Sequence, residues 1–230
     1  MSLTSCDNVS QNATPPEAAI VDAADHDAFW LWAGVRPQPV LESAKTVYIL
    51  DSELRRGDRL PTVLRPAIPA VGDTDIWIVV RVETLDWSEQ VHASLQRRLR
   101  LWEQRNRLVG LQVDFDAATH GLDEYGAFLG DLRRRLPSRF RLGITGLMDW
   151  SANGDPAALA ALSDSVDDIV IQTYQGRQTI PGYATYLKHL GRLDIPYRIG
   201  LVQHGQWAEP AGLRDDPDFR GYVVFLVNPR

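Results

Sequence analysis

The stretch Val109–Leu147, VGLQVDFDAATHGLDEYGAFLGDLRRRLPSRFRLGITGL, contains a complete strand–helix–strand unit. It opens on Val109–Asp116, where the polar residues Gln112, Asp114 and Asp116 recur every second position, the period of a β-strand. Leu122, Tyr125, Leu129, Leu132 and Leu136 then recur at helical spacing until Pro137, which has no amide hydrogen for a helix interior. Arg141–Leu147 is a second β-rich run. Strands joined through a helix pair in parallel by a right-handed crossover.

The same alternation continues in both directions. Candidate strands Phe29–Val35, Thr46–Asp51 and Ile76–Glu83 precede the unit, and Asp168–Tyr174, Tyr197–Gln203 and Gly221–Val227 follow it. Ser88 is placed to cap a helix whose apolar stripe is Val91, Leu95, Leu99 and Trp102. Asp155-Pro156 combines an N-cap with a proline at the first helical position, ahead of Leu159 and Leu162. Tyr183, Leu187 and Leu190 lead to Gly191, a C-terminal stop. Eight strands alternating with helices predict an α/β protein, a (β/α)8 TIM-type barrel near the short end of the usual size. Pro37–Lys45 and Leu54–Asp75 are too short or too rich in proline for full helices, so the helices after strands one and two should be reduced. An open doubly wound sheet is the architectural alternative, but no glycine-rich phosphate loop follows an early strand.

The chain has 230 residues, a formal charge of −6 and 44% hydrophobic residues, enough for a core without covalent staples. Its acidic balance gives no support for nucleic-acid binding. Its single cysteine excludes an internal disulfide framework or a thiolate-rich metal site. The five histidines show no HExxH or His-x-His spacing, so no metal is expected, nor is another cofactor; no serine lies in a GxSxG elbow and Cys6 lies in the leader, which removes the usual nucleophile arrangements. Residues 1–27 are polar and aperiodic and read as a disordered leader, with a single domain over 28–230. Within the leader, Leu3-Thr4-Ser5-Cys6 resembles the lipobox of bacterial lipoproteins, whose cysteine is acylated. The charged and apolar regions of an export signal do not precede it. Translation starting upstream would make this an envelope or periplasmic lipoprotein, with Cys6 as its only membrane attachment; otherwise the chain is cytoplasmic. No heptads mark an oligomer.

In the fourth strand, alternation turns Leu111, Val113 and Phe115 toward the helices and Gln112, Asp114 and Asp116 into the barrel. Two carboxylates thus point inward at the strand's C-terminal end, where barrel active sites lie. Like charges on one face should raise at least one pKa and keep a proton available for acid catalysis. The plainer alternative is a pair of loop-capping carboxylates. On the third strand Trp77, Val79, Arg81 and Glu83 share the inner face, leaving Arg81 and Glu83 near the top as an ion pair or as substrate contacts. Trp87, Asp149-Trp150, and His204 with Trp207 fall just after strands three, five and seven, where indole rings suit stacking on sugars. Trp30, Trp32 and Trp102 read as core, and Gln203, His204 and Asn228 are polar strand ends.

The fourth strand resembles the DGxDxDxE signature of family 18 glycoside hydrolases, the chitinase type, with Gly110 on the Gly, Gln112 and Asp114 on the two strand Asp positions and Asp116 on the catalytic Glu. Ile171-Gln172-Thr173-Tyr174 is similar to the sixth-strand segment whose Tyr contacts a substrate acetamido group, and Gly221–Asn228 is similar to the eighth strand, with Phe225 where that family has a floor Trp. From FWLWAGVRPQPVL through ITGLMDW and IQTYQ the chain also resembles an uncharacterised bacterial family of glycoside-hydrolase-like barrels. The resemblance implies a glycan ligand, Asp116 as general acid, Asp114 as the carboxylate orienting the acetamido group and Tyr174 as its hydrogen-bond donor. The departures from the pattern matter: Asp116 is one methylene shorter than Glu, Gln112 replaces an Asp, and Gln175 rather than Asp follows Tyr174. The readings left open are a glycosidase, a non-catalytic carbohydrate-binding or assembly protein on the same barrel, and, more remotely, a lyase or isomerase.

Overall fold

The computed structural model describes residues 17–116, 121–150 and 154–229. Among them eight parallel strands close on themselves: β1 (Ala28–Leu31), β2 (Thr46–Leu54), β3 (Asp75–Val82), β4 (Arg107–Asp114), β5 (Arg141–Leu147), β6 (Asp168–Gln172), β7 (Tyr197–Val202) and β8 (Phe219–Phe225). Each pairs with the next, and β8 returns to β1 with Val224 opposite Phe29. Closure leaves no barrel edge unpaired. All eight coincide with the expected runs, although β1 ends at Leu31 rather than Val35 and β2 continues to Leu54.

The two-residue period of the sequence becomes two cores. Outward residues such as Phe29, Ile76, Ile78, Leu111, Val113 and Ile144 pack with the helices, whereas Ala28, Trp30, Tyr48, Leu50, Trp77, Val79 and Val223 fill the interior. Gly110 is required by this packing: a Cβ there would lie 2.2 Å from the Arg141 carbonyl oxygen across the β4–β5 pair.

Helices α1 (Glu89–Glu103), α2 (Leu122–Arg135) and α3 (Pro156–Ser163) follow β3, β4 and β5, and the short α4 (Tyr183–Leu187) follows β6. Ser88 Oγ accepts from the Val91 amide at 3.4 Å, and Asp155 accepts from those of Ala157 and Ala158 at 3.0 and 3.1 Å, so both expected caps form. After β1 there is only a 3₁₀ turn, Pro39–Ser43, and after β2 a long connection whose two-residue strand Thr62–Val63 pairs antiparallel with β2. Where full helices would lie, an apolar cleft of about 680 Å³ remains on the flank of β1–β3.

The β2–β3 pairing skips Asp51, passing from Leu50 opposite Val79 to Ser52 opposite Val80. Asp51 keeps the outward phase of Val47 and Ile49 and faces α1, where it accepts from Arg98 Nε at 3.0 Å and Trp102 Nε1 at 2.7 Å. The bulge shifts the phase of the residues after it, so that Leu54 joins the outer core. The fold also begins before Ala28. Ala19–Ile20 pairs antiparallel with Gln206–Trp207, and the His204 amide donates to the Val21 carbonyl at 2.9 Å, so these residues of the expected leader belong to the barrel's surroundings. Cys6 lies outside the described residues. None of the described helices is long and apolar enough to cross a membrane.

Candidate active site

On β4, Gln112 and Asp114 point inward and are buried, 1% and 8% exposed. Regular pairing stops at Asp114, and Asp116, two residues on, is exposed at the barrel mouth. Asp114 accepts a 2.9 Å hydrogen bond from the Thr145 hydroxyl of β5. Burial pushes its carboxyl up to about 6, against the opposing pull of the Thr145 bond and the Arg81 charge and with a further push from Asp116. Gln112 Nε2 donates to the Ile144 carbonyl at 3.4 Å, while its Oε1 is buried without a partner.

Asp114 and Asp116 line a cavity of about 170 Å³ together with Trp30, Trp32, Arg81, Gln172, Tyr174, Gly176 and Phe225. A neighbouring cavity of about 420 Å³ shares Asp116, Gln172 and Tyr174 and runs on past Asp149 toward Tyr186. The two form a groove across the C-terminal ends of the strands, the side on which barrel enzymes do chemistry. The larger flank cleft lies at β1–β3 and holds neither carboxylate. The groove wall is aromatic: Phe225 lies 6.2 Å from Trp30, 5.6 Å from Trp32 and 5.2 Å from Tyr174, ring centre to ring centre. Burial, reinforced by the charge of Asp114, holds the Tyr174 phenol well above its ordinary pKa, so it remains a hydrogen-bond donor. Gln172 Nε2 is tied to the Tyr174 carbonyl at 3.0 Å.

The other expected contacts lie elsewhere. Trp87 is fixed between helices, 5.0 Å from Phe128 and 5.4 Å from His92, with its Nε1 donating to the Thr84 carbonyl. Trp150 is fully buried beside Tyr125, and Trp207 stacks on Tyr183 at 4.5 Å. All three rings turn into the helix layer, where they gain apolar burial, instead of lining a groove. Glu83 is exposed and accepts from the Arg56 amide at 3.2 Å, so it forms no pair with Arg81. Gln203 is clamped reciprocally to Gln38 at 2.8 and 3.0 Å and accepts from the Val227 amide. His204 is an exposed residue at φ 66° in a tight turn. Trp30 is core as expected, 2% exposed, with one edge on the cavity lining, whereas the sequence reading missed Trp32, which it also assigned to the core. The signal for Trp32 was the inner-face phase of Ala28, Trp30 and Trp32 on the first strand. Among the described residues no cluster of His, Cys, Asp and Glu could hold a metal ion.

Among solved structures, the spore cortex-lytic enzyme SleL of Bacillus cereus superposes with a TM-score of 0.53 at 19% identity, covering 76% of this chain and 49% of SleL. The chain therefore spans about half the length of that protein. The xylanase-α-amylase inhibitor protein XAIP-I, solved with trehalose, gives 0.53 at 11% identity over 86% and 92% of the two chains. The class V chitinase of Nicotiana tobaccum gives 0.53 at 9% identity over 77% and 67%. Likeness at these identities shows the fold, and this one barrel carries enzymes and inhibitors alike. A search of curated proteins finds no match. A family model described as "Domain of unknown function (DUF3142)" matches residues 76–190, from β3 to just past α4 and through the whole acidic strand, which is half of the chain. The chain, a (β/α)8 barrel similar in fold to the class V chitinase, belongs to this family, DUF3142.

Proposed function

We propose that the protein binds a glycan in the groove at the C-terminal mouth of the barrel and hydrolyses a glycosidic bond there. The observation that carries this reading is the pair of Asp114, buried with a raised pKa, and Asp116, open to an aromatic cavity. In this reading the Asp116 carboxyl gives its proton to the glycosidic oxygen as the C1–O bond breaks, and its carboxylate recovers a proton from the water that completes hydrolysis. Asp114 is the supporting carboxylate, and the Tyr174 phenol donates to a substrate carbonyl. Trp32 and Phe225 offer flat apolar faces to a sugar ring. Among the described residues no backbone amide caps Asp114 or Asp116, as a purely structural carboxylate pair would require.

A non-catalytic glycan-binding protein is the second reading, favoured by the exposure of Asp116 and its one-methylene shorter reach than Glu. A screen of an oligosaccharide panel for both binding and released reducing ends separates the two. Binding with turnover supports hydrolysis, binding alone supports the second reading, and no binding removes both. The lipobox-like Leu3–Cys6 segment supports an envelope location, which mass spectrometry of the native N-terminus tests by a lipidated Cys6.

A further inference from the structure

Arg81 is the cation on the lining of the carboxylate cavity, and the hydrolytic reading gives it no task. It stands on β3 directly opposite Asp114 of β4, so a guanidinium serving only to neutralise that carboxylate would close on it. Other partly buried arginines do so: Arg98 on Asp51, Arg133 on Asp167 and Arg198 on Asp168. Arg81 makes no ion pair and donates no hydrogen bond among the described residues. Its guanidinium lies 5.2 Å from the centre of the Trp32 ring instead. Asp114 leans the other way, held by Thr145 on β5. The result is a half-buried planar fork with its donors unused, resting on an aromatic wall and facing the space a ligand would fill.

We propose that Arg81 selects glycans bearing a carboxylate, a uronate-type sugar, by receiving that carboxylate on the Trp32 side of the groove. This rests on the glycan reading and sharpens it. A guanidinium matches a carboxylate with two parallel N–H···O bonds, which neutral hydroxyls cannot reproduce. The Asp114 carboxylate repels an incoming anion, which confines its carboxylate to the Arg81 edge and so fixes the orientation of the sugar.

The test compares matched probes by calorimetry: a tetrasaccharide of alternating glucuronate and N-acetylglucosamine and a galacturonate tetramer, each beside its carboxyl-reduced neutral form, with chitotetraose as the neutral reference. The expected result is at least about tenfold tighter binding of a carboxylate form, weakening as salt rises. Arg81→Gln should abolish that preference, bringing each carboxylate probe to the affinity of its neutral form, and Arg81→Lys should restore part of it through charge alone. Unaltered thermal melting shows that the variants fold. Equal binding of charged and neutral forms by the wild type, or a preference that survives in Arg81→Gln, overturns the proposal and leaves the glycan reading standing. Failure to bind any saccharide overturns both.

Discussion

The Thr145 hydroxyl, on β5, donates a 2.9 Å hydrogen bond to the Asp114 carboxylate of β4 inside the barrel, and it is the one side-chain hydrogen bond that holds that carboxylate among the described residues. One neutral donor does not offset burial, so the carboxyl is raised to about 6 from its ordinary 3.8. Between these values the folded chain holds a proton that the unfolded chain has lost. Stability therefore falls as pH rises from about 4 to about 6, and the penalty is complete above that. A shift of about two units corresponds to about 3 kcal/mol. Asp114→Asn keeps an acceptor for Thr145 and removes the charge, so it should melt higher than wild type at pH 7 and show a flatter profile between pH 4 and 6. Thermal melts across that range check this, and a lower melting temperature at pH 7 contradicts it.

The carboxylate at the β2 bulge is held by charged and neutral donors together. Asp51 is 1% exposed and is held by Arg98 and Trp102 of α1. Arg98→Ala strands a buried carboxylate and should cost about 3–5 kcal/mol by urea unfolding. Asp51→Leu with Arg98→Met, which removes both charges, should recover most of the loss. A single variant of wild-type stability would show that the pair does not anchor α1.

Trp32 and Trp87 should separate binding from stability. Trp32→Ala should weaken glycan binding at least about fivefold by loss of a stacking face, with little change in melting. Trp87→Ala should cost about 2 kcal/mol or more of stability through a gap against Phe128 and His92, and leave glycan affinity unchanged. Binding assays and melts on both variants check this; the reverse pattern would move the groove to the α1–α2 side.

Gly110→Ala places a methyl group 2.2 Å from the Arg141 carbonyl oxygen. Backbone on one side and the Trp77 ring on the other leave no soft neighbour to yield, so β4 and β5 must separate. The variant should lose several kcal/mol or fail to accumulate in soluble form. Melting within a degree of wild type would show that the strand contact gives way freely.

These expectations show which features a sequence carries. The eight strands were legible because the alternation of residues such as Leu111, Gln112, Val113 and Asp114 has only one solution on a closed sheet. The reduced helices were legible from the prolines after the first two strands. The outward side of Asp51 follows from the alternation of Val47 and Ile49, but its partners Arg98 and Trp102 were not legible, because they lie far along the chain on another element. Trp87, Trp150 and Trp207 follow strand ends, where side-chain direction has no period, and their rings went to the larger apolar reward of the helix layer. Trp32 was hidden in an apolar run that lacks polar residues to mark its faces. Ala19–Ile20 is too short a pairing to leave any pattern.

Hydrolysis by Asp116→Asn against wild type, measured on whichever oligosaccharide the wild type binds, tests the central claim most directly. With Asp116 as the acid, the variant should lose at least about a hundredfold in turnover while its dissociation constant stays within about threefold. Turnover that survives the substitution at comparable affinity contradicts the assignment of Asp116.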